Sequence, residues 1–181
     1  MQKNGVPDVL SSKGVSEEAI KALSKFKGEP GWLTEKRLEA WRAFEEMPMP
    51  SLRDEAWRYT DISDVRIEEF APYAPSPDVG REQDLPDAVQ ALIKEGEENS
   101  ALLVQHNSER AYTRVDEELL HKDVVFTDLH TALAEHEDLI REKLFGLVPM
   151  DYDKFAALSA AAFSGGSFLY VPRGVDVEVP I

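Results

Sequence analysis

The sequence predicts an α+β fold, mostly helical toward its N-terminal end and strand-rich toward its C-terminal end. Three observations carry this. Apolar residues recur every three positions through Ile20, Leu23 and Phe26, and again through Leu38, Trp41 and Phe44, as one buried helix face allows. The period shortens near residue 101, where a short apolar run and an alternating run flank a turn-rich stretch. Finally, Val175-Asp176-Val177-Glu178-Val179 alternates strictly, the two-residue period of a strand with one face covered.

Each element has its own signals. Ser16 caps a first helix, with Glu17 and Glu18 in its positive first turn and Val15 stapled toward Ile20, and Gly28 closes it. A second helix starts near Thr34, carries Leu38, Trp41 and Phe44 with Ala40 and Met47 alongside, and stops at Pro48 and Pro50. Ser51 and Asp54 give a weaker cap before Trp57-Arg58-Tyr59, a segment read as anchoring into a core. Residues 71–80, with Pro72, Pro75 and Pro77, read as a linker or surface loop. The expected organisation is therefore a helical segment over 1–70, a linker over 71–80, a mixed segment over 81–163 and a strand-forming end over 164–181.

Asp84 caps a third helix bearing Leu85, Val89, Leu92 and Ile93, with Gly96 as its stop. Residues 101–104 and 111–115 form a hairpin whose turn spans 106–110, and residues 123–127 form a third strand. A helix capped by Thr127 or Asp128 then carries Leu129, Leu133, Leu139 and Ile140. Asp151 or Asp153 starts an alanine-rich helix through Phe163, with Phe155, Leu158 and Ala162 on one face and Gly165 and Gly166 ending it. Residues 168–171 make a strand, Pro172-Arg173-Gly174 a turn, and residues 175–179 a closing strand whose open edge predicts a continuation.

Composition narrows the chemistry. The 181 residues include 20 Lys and Arg against 35 Asp and Glu, a net charge of −15 that argues against gripping a phosphate backbone. The absence of cysteine removes disulfides, thiol nucleophiles and thiolate metal sites from this chain. With no apolar signal block and no run of roughly 18 apolar residues, a cytoplasmic protein is expected, without nucleic-acid or membrane partners.

Few residues suggest a site. His130 and His136 stand six apart, which places them roughly 240° apart on a helix and so unable to share a metal; with His106 and His121 they read as solvated. Ser164-Gly165-Gly166-Ser167 lacks the lysine and the strand-to-helix order of a phosphate loop. Asp151 and Asp153 form a possible carboxylate pair whose plainer reading is a helix cap.

Several segments then resemble a known family: Gly28-Glu29-Pro30-Gly31-Trp32, Met47-Pro48-Met49-Pro50, the stretch Asp54-Glu55-Ala56-Trp57-Arg58-Tyr59-Thr60-Asp61, and above all the closing DKFAALSAAAFSGGSFLYVPRGVDVEVPI from Asp153. Together they resemble the SufB/SufD family of iron–sulfur cluster assembly scaffolds; the Trp57-Arg58-Tyr59-Thr60-Asp61 element is more like SufD, whereas Met47-Pro48-Met49-Pro50 is more like SufB, and the balance leans to SufD. The resemblance implies that residues 164–181 begin a right-handed β-helix whose remainder lies beyond this portion. It implies a non-catalytic scaffold subunit with a SufB-like subunit and a SufC-like ATPase as partners, reached through the missing C-terminal parts. The iron–sulfur cluster would be handled by the full complex, so no catalytic, cofactor-binding or metal-ligating residue is assigned within these 181. In that setting Trp32, Trp41, Phe44, Trp57 and Tyr59 are expected to pack the domain. Two other readings stay open, a standalone acidic protein-interaction module and a small hydrolase using Asp151 and Asp153 or the histidines.

Overall fold

The computed structural model describes residues 5–76, 79–95 and 99–181, so Pro77 and the Gly96 helix stop lie outside the described residues. The helices are α1 (Asp8–Ser11), α2 (Glu17–Lys27), α3 (Gly31–Glu46), α4 (Asp87–Glu95), α5 (Glu117–His121), α6 (Leu129–Glu135), α7 (Glu137–Lys143) and α8 (Lys154–Ala162). The strands are β1 (Ala101–His106), β2 (Glu109–Val115), β3 (Val125–Asp128) and β4 (Ser167–Tyr170). They gather into two compact units: the chain as far as Ala74 with Glu137–Ser164, and Pro75–His136 with Gly165–Ile181.

The first unit is helical. Ser16 Oγ accepts from the Ala19 amide at 3.1 Å to start α2, and Gly28 ends it at φ +66°, where its amide and that of Glu29 donate back into the last turn. α3 begins at Gly31, three residues before the expected Thr34. Pro30 is the reason: its ring presets the backbone, and its carbonyl accepts from the Leu33 amide. The Thr34 hydroxyl instead meets Ser24 Oγ at 2.5 Å, joining α3 to α2. The fully buried face of α3 is Leu33, Arg37, Ala40 and Trp41, while Leu38 and Phe44 flank it half-buried.

Asp153, not Asp151, caps α8, its carboxylate accepting from the Ala156 amide at 2.7 Å. The buried face is Ala157, Ala160 and Ala161 rather than the expected Phe155, Leu158 and Ala162. Small residues on that face let α8 approach α3 closely, and a shared cluster of Ile20, Ala40, Trp41, Ala160 and Ala161 fills the seam. A second cluster of Leu10, Leu23 and Tyr73 seals α1 and α2, with Tyr73 edge-on to Phe26 at 5.2 Å.

The second unit carries the strands. β1 and β2 pair antiparallel from Ala101↔Val115 to His106↔Glu109, with an irregularity between Val104 and Gln105. The turn is tighter than the sequence suggests: Asn107, at φ +53°, and Ser108 suffice. β3 pairs antiparallel with β4. α4 starts two residues beyond Leu85 because Pro86 sets the first turn, whereas Asp84, expected as the cap, forks onto Arg81 at 2.8 and 3.0 Å. α5 was not expected; five residues without a side-chain cap leave no periodic trace.

The helix expected from Leu129 through Ile140 is two helices. Asp128 caps α6 through Thr131, the backbone bends out of helical geometry at His136, and α7 belongs to the helical unit. The closing strand over 175–179 is also corrected. Arg173-Gly174 turns the chain, Val175 and Val177 rest on the buried trio Ala101, Leu119 and Val124, and Asp176 and Glu178 face water. The alternation is therefore real but makes no ladder. Single hydrogen bonds hold it instead, the Ser100 amide to the Pro180 carbonyl at 2.8 Å and the Ser100 hydroxyl to the Val179 carbonyl at 3.0 Å. Among the described residues the strands form two separate two-stranded antiparallel sheets, with no β-helix rung.

Candidate functional site

Each residue singled out from the sequence has a definite place. Asp151 and Asp153 do not act together: Asp153 is spent on the α8 cap, and Asp151 stands exposed. His106 Nδ1 lies 3.0 Å from Ser76 Oγ, and His136 stacks on Phe168 with ring centroids 6.3 Å apart. His121 ends α5 and His130 lies in the first turn of α6, both exposed. Among the described residues no group of three or more His, Asp or Glu converges as a metal would require.

The Gly165-Gly166 pair has a different job from the expected helix stop. α8 has already ended at Ala162, because Phe163 turns to ψ 135°. A Cβ on Gly165 would stand 2.6 Å from Gln105 Nε2, and one on Gly166 would press Leu129 at 3.3 Å. The Gly166 carbonyl accepts from the Leu129 amide at 2.9 Å, so Gly166 permits the close approach of the start of β4 to α6, while Gly165 leaves room for the end of the Gln105 side chain.

The aromatic segment splits. Trp57 is half-buried against the Phe155 ring, 5.3 Å between centroids. Tyr59, expected in the core, is 86% exposed, with the Arg58 guanidinium over its ring at 4.6 Å. In the same unit a groove of about 460 Å³ is lined by residues that include Phe44, Met49, Ile62, Val65, Arg66 and Lys154. Its lysine is already occupied: Lys154 Nζ donates to the Phe44 and Met47 carbonyls at 2.7 and 2.5 Å and sits over the Phe44 ring, closing the C-terminal end of α3.

The feature that sequence reasoning missed is a buried charge. Arg37 is 0% exposed, and its fork meets the Glu29 carboxylate at 2.7 and 2.6 Å. Its remaining nitrogen donates to the Ala161 carbonyl at 3.0 Å, and its plane lies 3.8 Å from the Phe163 ring centroid. One guanidinium thus joins the α2–α3 corner to the end of α8 with its charge paired and its face stacked. The signal was present: Arg37 lies four residues after Leu33 and four before Trp41, on the apolar stripe. These contacts fix helices against one another.

Comparison with known proteins decides the family. The model of the SufBD protein N-terminal region matches residues 21–181. The chain belongs to the SufBD family. It is 34% identical over 180 residues to an iron-sulfur cluster assembly SufBD family protein of Staphylococcus haemolyticus. It is 35% identical to one of Staphylococcus epidermidis and 35% identical to the iron-sulfur cluster assembly protein SufB of Bacillus subtilis. Each alignment covers 94% of this chain and 37% of the relative, so the chain spans little more than a third of these SufBD proteins. The family resemblance read from the closing motif is thereby borne out. The leaning to SufD over SufB is not decided by it, since a relative named SufB is among the matches.

Proposed function

We propose that this chain is the N-terminal domain of a SufB/SufD-type scaffold subunit of iron–sulfur cluster assembly, a non-catalytic part of a cytoplasmic complex. The observation that carries the reading is the match of residues 21–181 to the N-terminal region of the family, at an alignment covering 37% of each relative. Its local chemistry supports the same view. Asp153, Asp128 and Ser16 are spent on helix caps, and the buried Arg37–Glu29 pair fixes three helices.

In this reading the partners are a SufB-like or SufD-like subunit and a SufC-like ATPase, engaged through parts outside these residues. The segment 164–181 then leads toward a right-handed β-helix core, which the alternation of Val175 and Val177 supports. The Trp57-Arg58-Tyr59-Thr60-Asp61 element favours a SufD-type subunit, and the match to the Bacillus subtilis SufB favours a SufB-type one.

Affinity-tagging the protein in its native host and identifying what co-purifies tests both levels. Stoichiometric recovery of a SufC-like ATPase is the expected result, and a SufB-like companion with it identifies a SufD-type subunit. A SufD-like companion reverses the subtype. Recovery of no Suf component overturns the proposal.

A further inference from the structure

Leu147 is 98% exposed, and Val148 and Tyr152 beside it are exposed too. Three large apolar side chains in six residues are costly to leave in water and mark contact surfaces on folded proteins. The loop that carries them, between α7 and α8, is firmly built. Phe145 and Met150 insert on either side of the tip onto the core cluster of Ile20, Ala40, Trp41, Ala160 and Ala161. Phe145 does so at φ +64°, a left-handed conformation that a bulky residue keeps only where its surroundings over-determine it. The Gly146 amide donates to the Lys143 carbonyl at 2.9 Å, and a Cβ there would stand 3.0 Å from that same oxygen. Two half-buried anchors and a closed turn hold Leu147 and Val148 outward.

A groove of about 290 Å³ lies beside this tip, floored by Ala43, Leu144, Phe145 and Met150. Its rim is charged, and the charges are unequally matched. Lys36 is tied to Glu39 at 3.2 Å, and nearby Lys143 to Glu142 at 2.5 Å, so both cations are neutralised within the chain. Asp151, also on the rim, has no hydrogen bond or ion pair among the described residues. Residues 137–153 hold five acids against two bases. What the surface leaves unmatched is apolar area and negative charge.

We propose that this loop and groove are a docking surface for a partner-protein segment bearing a large apolar side chain flanked by Lys or Arg. The apolar side chain fills the groove and covers Leu147 and Val148, and the cation meets Asp151. A second copy of the chain is a poor occupant, because it brings the same −15 charge and the same acidic rim. The inference is independent of the scaffold reading above.

The test titrates the ¹⁵N-labelled 181-residue chain with a short alternating Lys/Leu peptide and, separately, with its Glu/Leu counterpart. Expected are amide shifts confined to residues 143–152 and 36–43 with the Lys/Leu peptide and none with the Glu/Leu peptide. The Leu147→Ser, Val148→Ser double variant is expected to bind about tenfold or more weakly, as loss of an interface anchor does. Asp151→Asn is expected to bind about threefold more weakly, as loss of one exposed ion pair does. Glu118→Gln, an acid of the other unit, leaves binding unchanged. All these positions are exposed, and unchanged far-ultraviolet circular dichroism confirms folding. No binding of the Lys/Leu peptide, shifts spread over the acidic surface, or undiminished binding by the double variant overturns the proposal. A sedimentation dimer abolished by the double variant also overturns it, in favour of a second copy.

Discussion

The two units hold themselves together differently. In the helical unit, α2 and α8 start on side-chain caps, α3 starts at Pro30, and the helices meet over one broad seam, where alanines on α8 admit the bulk of Trp41 and Ile20. In the strand unit, no described element exceeds nine residues, and the central buried trio is Ala101, Leu119 and Val124. Its closing layer is borrowed from 50 or more residues away, since Val175 and Val177 cover Ala101, Leu119 and Val124. Local signals set the individual helices of the first unit, although its seam also joins segments more than 100 residues apart, whereas the short strands of the second are stable only once they are paired and covered.

The sharpest way to break the comparison is at Arg37. Arg37→Ala leaves Glu29 buried without its partner and is expected to cost about 3–5 kcal/mol, measured by chemical denaturation. Arg37→Met with Glu29→Met removes both charges and is expected to restore most of that loss. Amide exchange is expected to accelerate first in α2, α3 and α8. Equal costs for the single and double replacements would show that the pair acts only as packing volume.

The strand unit is probed at Leu119, the largest side chain of its buried trio. Leu119→Ala is expected to cost about 2–3 kcal/mol, the low end of the range for buried leucine, because a five-residue helix relaxes into the space. It is also expected to loosen 175–179, read as faster exchange there. A cost above that of Arg37→Ala would reverse the ranking of the two units.

How much of this was legible depends on how local each signal is. Ser16, Gly28, Asp128 and Asp153 were readable because a cap is a relation among four consecutive residues. Arg37 was not, because the sequence shows a cation on an apolar stripe but does not show that Glu29, eight residues earlier, folds back to meet it. The bend at His136 was hidden for a related reason. Leu133 and Ile140 keep helical spacing across it, yet the two helices pack in different units. At 175–179 the alternation revealed which side chains face inward but not whether a neighbouring strand stands within hydrogen-bonding reach. Of the candidate site, the sequence brought Asp151 and Asp153 together by proximity, and cap geometry separated them.

Trp57 and Tyr59 test burial within a single short segment. Trp57→Ala is expected to cost about 1–2 kcal/mol, below the 3–5 of a fully buried tryptophan, because only part of its ring is covered by Phe155. Tyr59→Ala is expected to stay within about 0.5 kcal/mol, as exposed replacements do. Thermal unfolding of the two variants side by side measures the gap, and similar losses would place Tyr59 in a packed environment after all.

The smallest effect compares the caps across units. Asp153→Ala and Asp128→Ala are each expected to cost about 1 kcal/mol. The Asp128 contribution depends on pH. Burial alone would raise its pKa, but hydrogen bonds from the Thr131 hydroxyl and amide, with Arg110 and His130 nearby, outweigh it and hold the carboxyl below the ordinary aspartate value. The folded state thus binds this proton less readily than the unfolded state. Its contribution is complete above the unfolded pKa of about 4 and disappears as pH falls through the lower folded value. The stability difference between wild type and Asp128→Ala is therefore expected to hold constant from about pH 7 to 5 and to shrink below about pH 4. Denaturation midpoints across that range measure it, and a difference that widened on acidification would mean the carboxyl is better bonded when protonated.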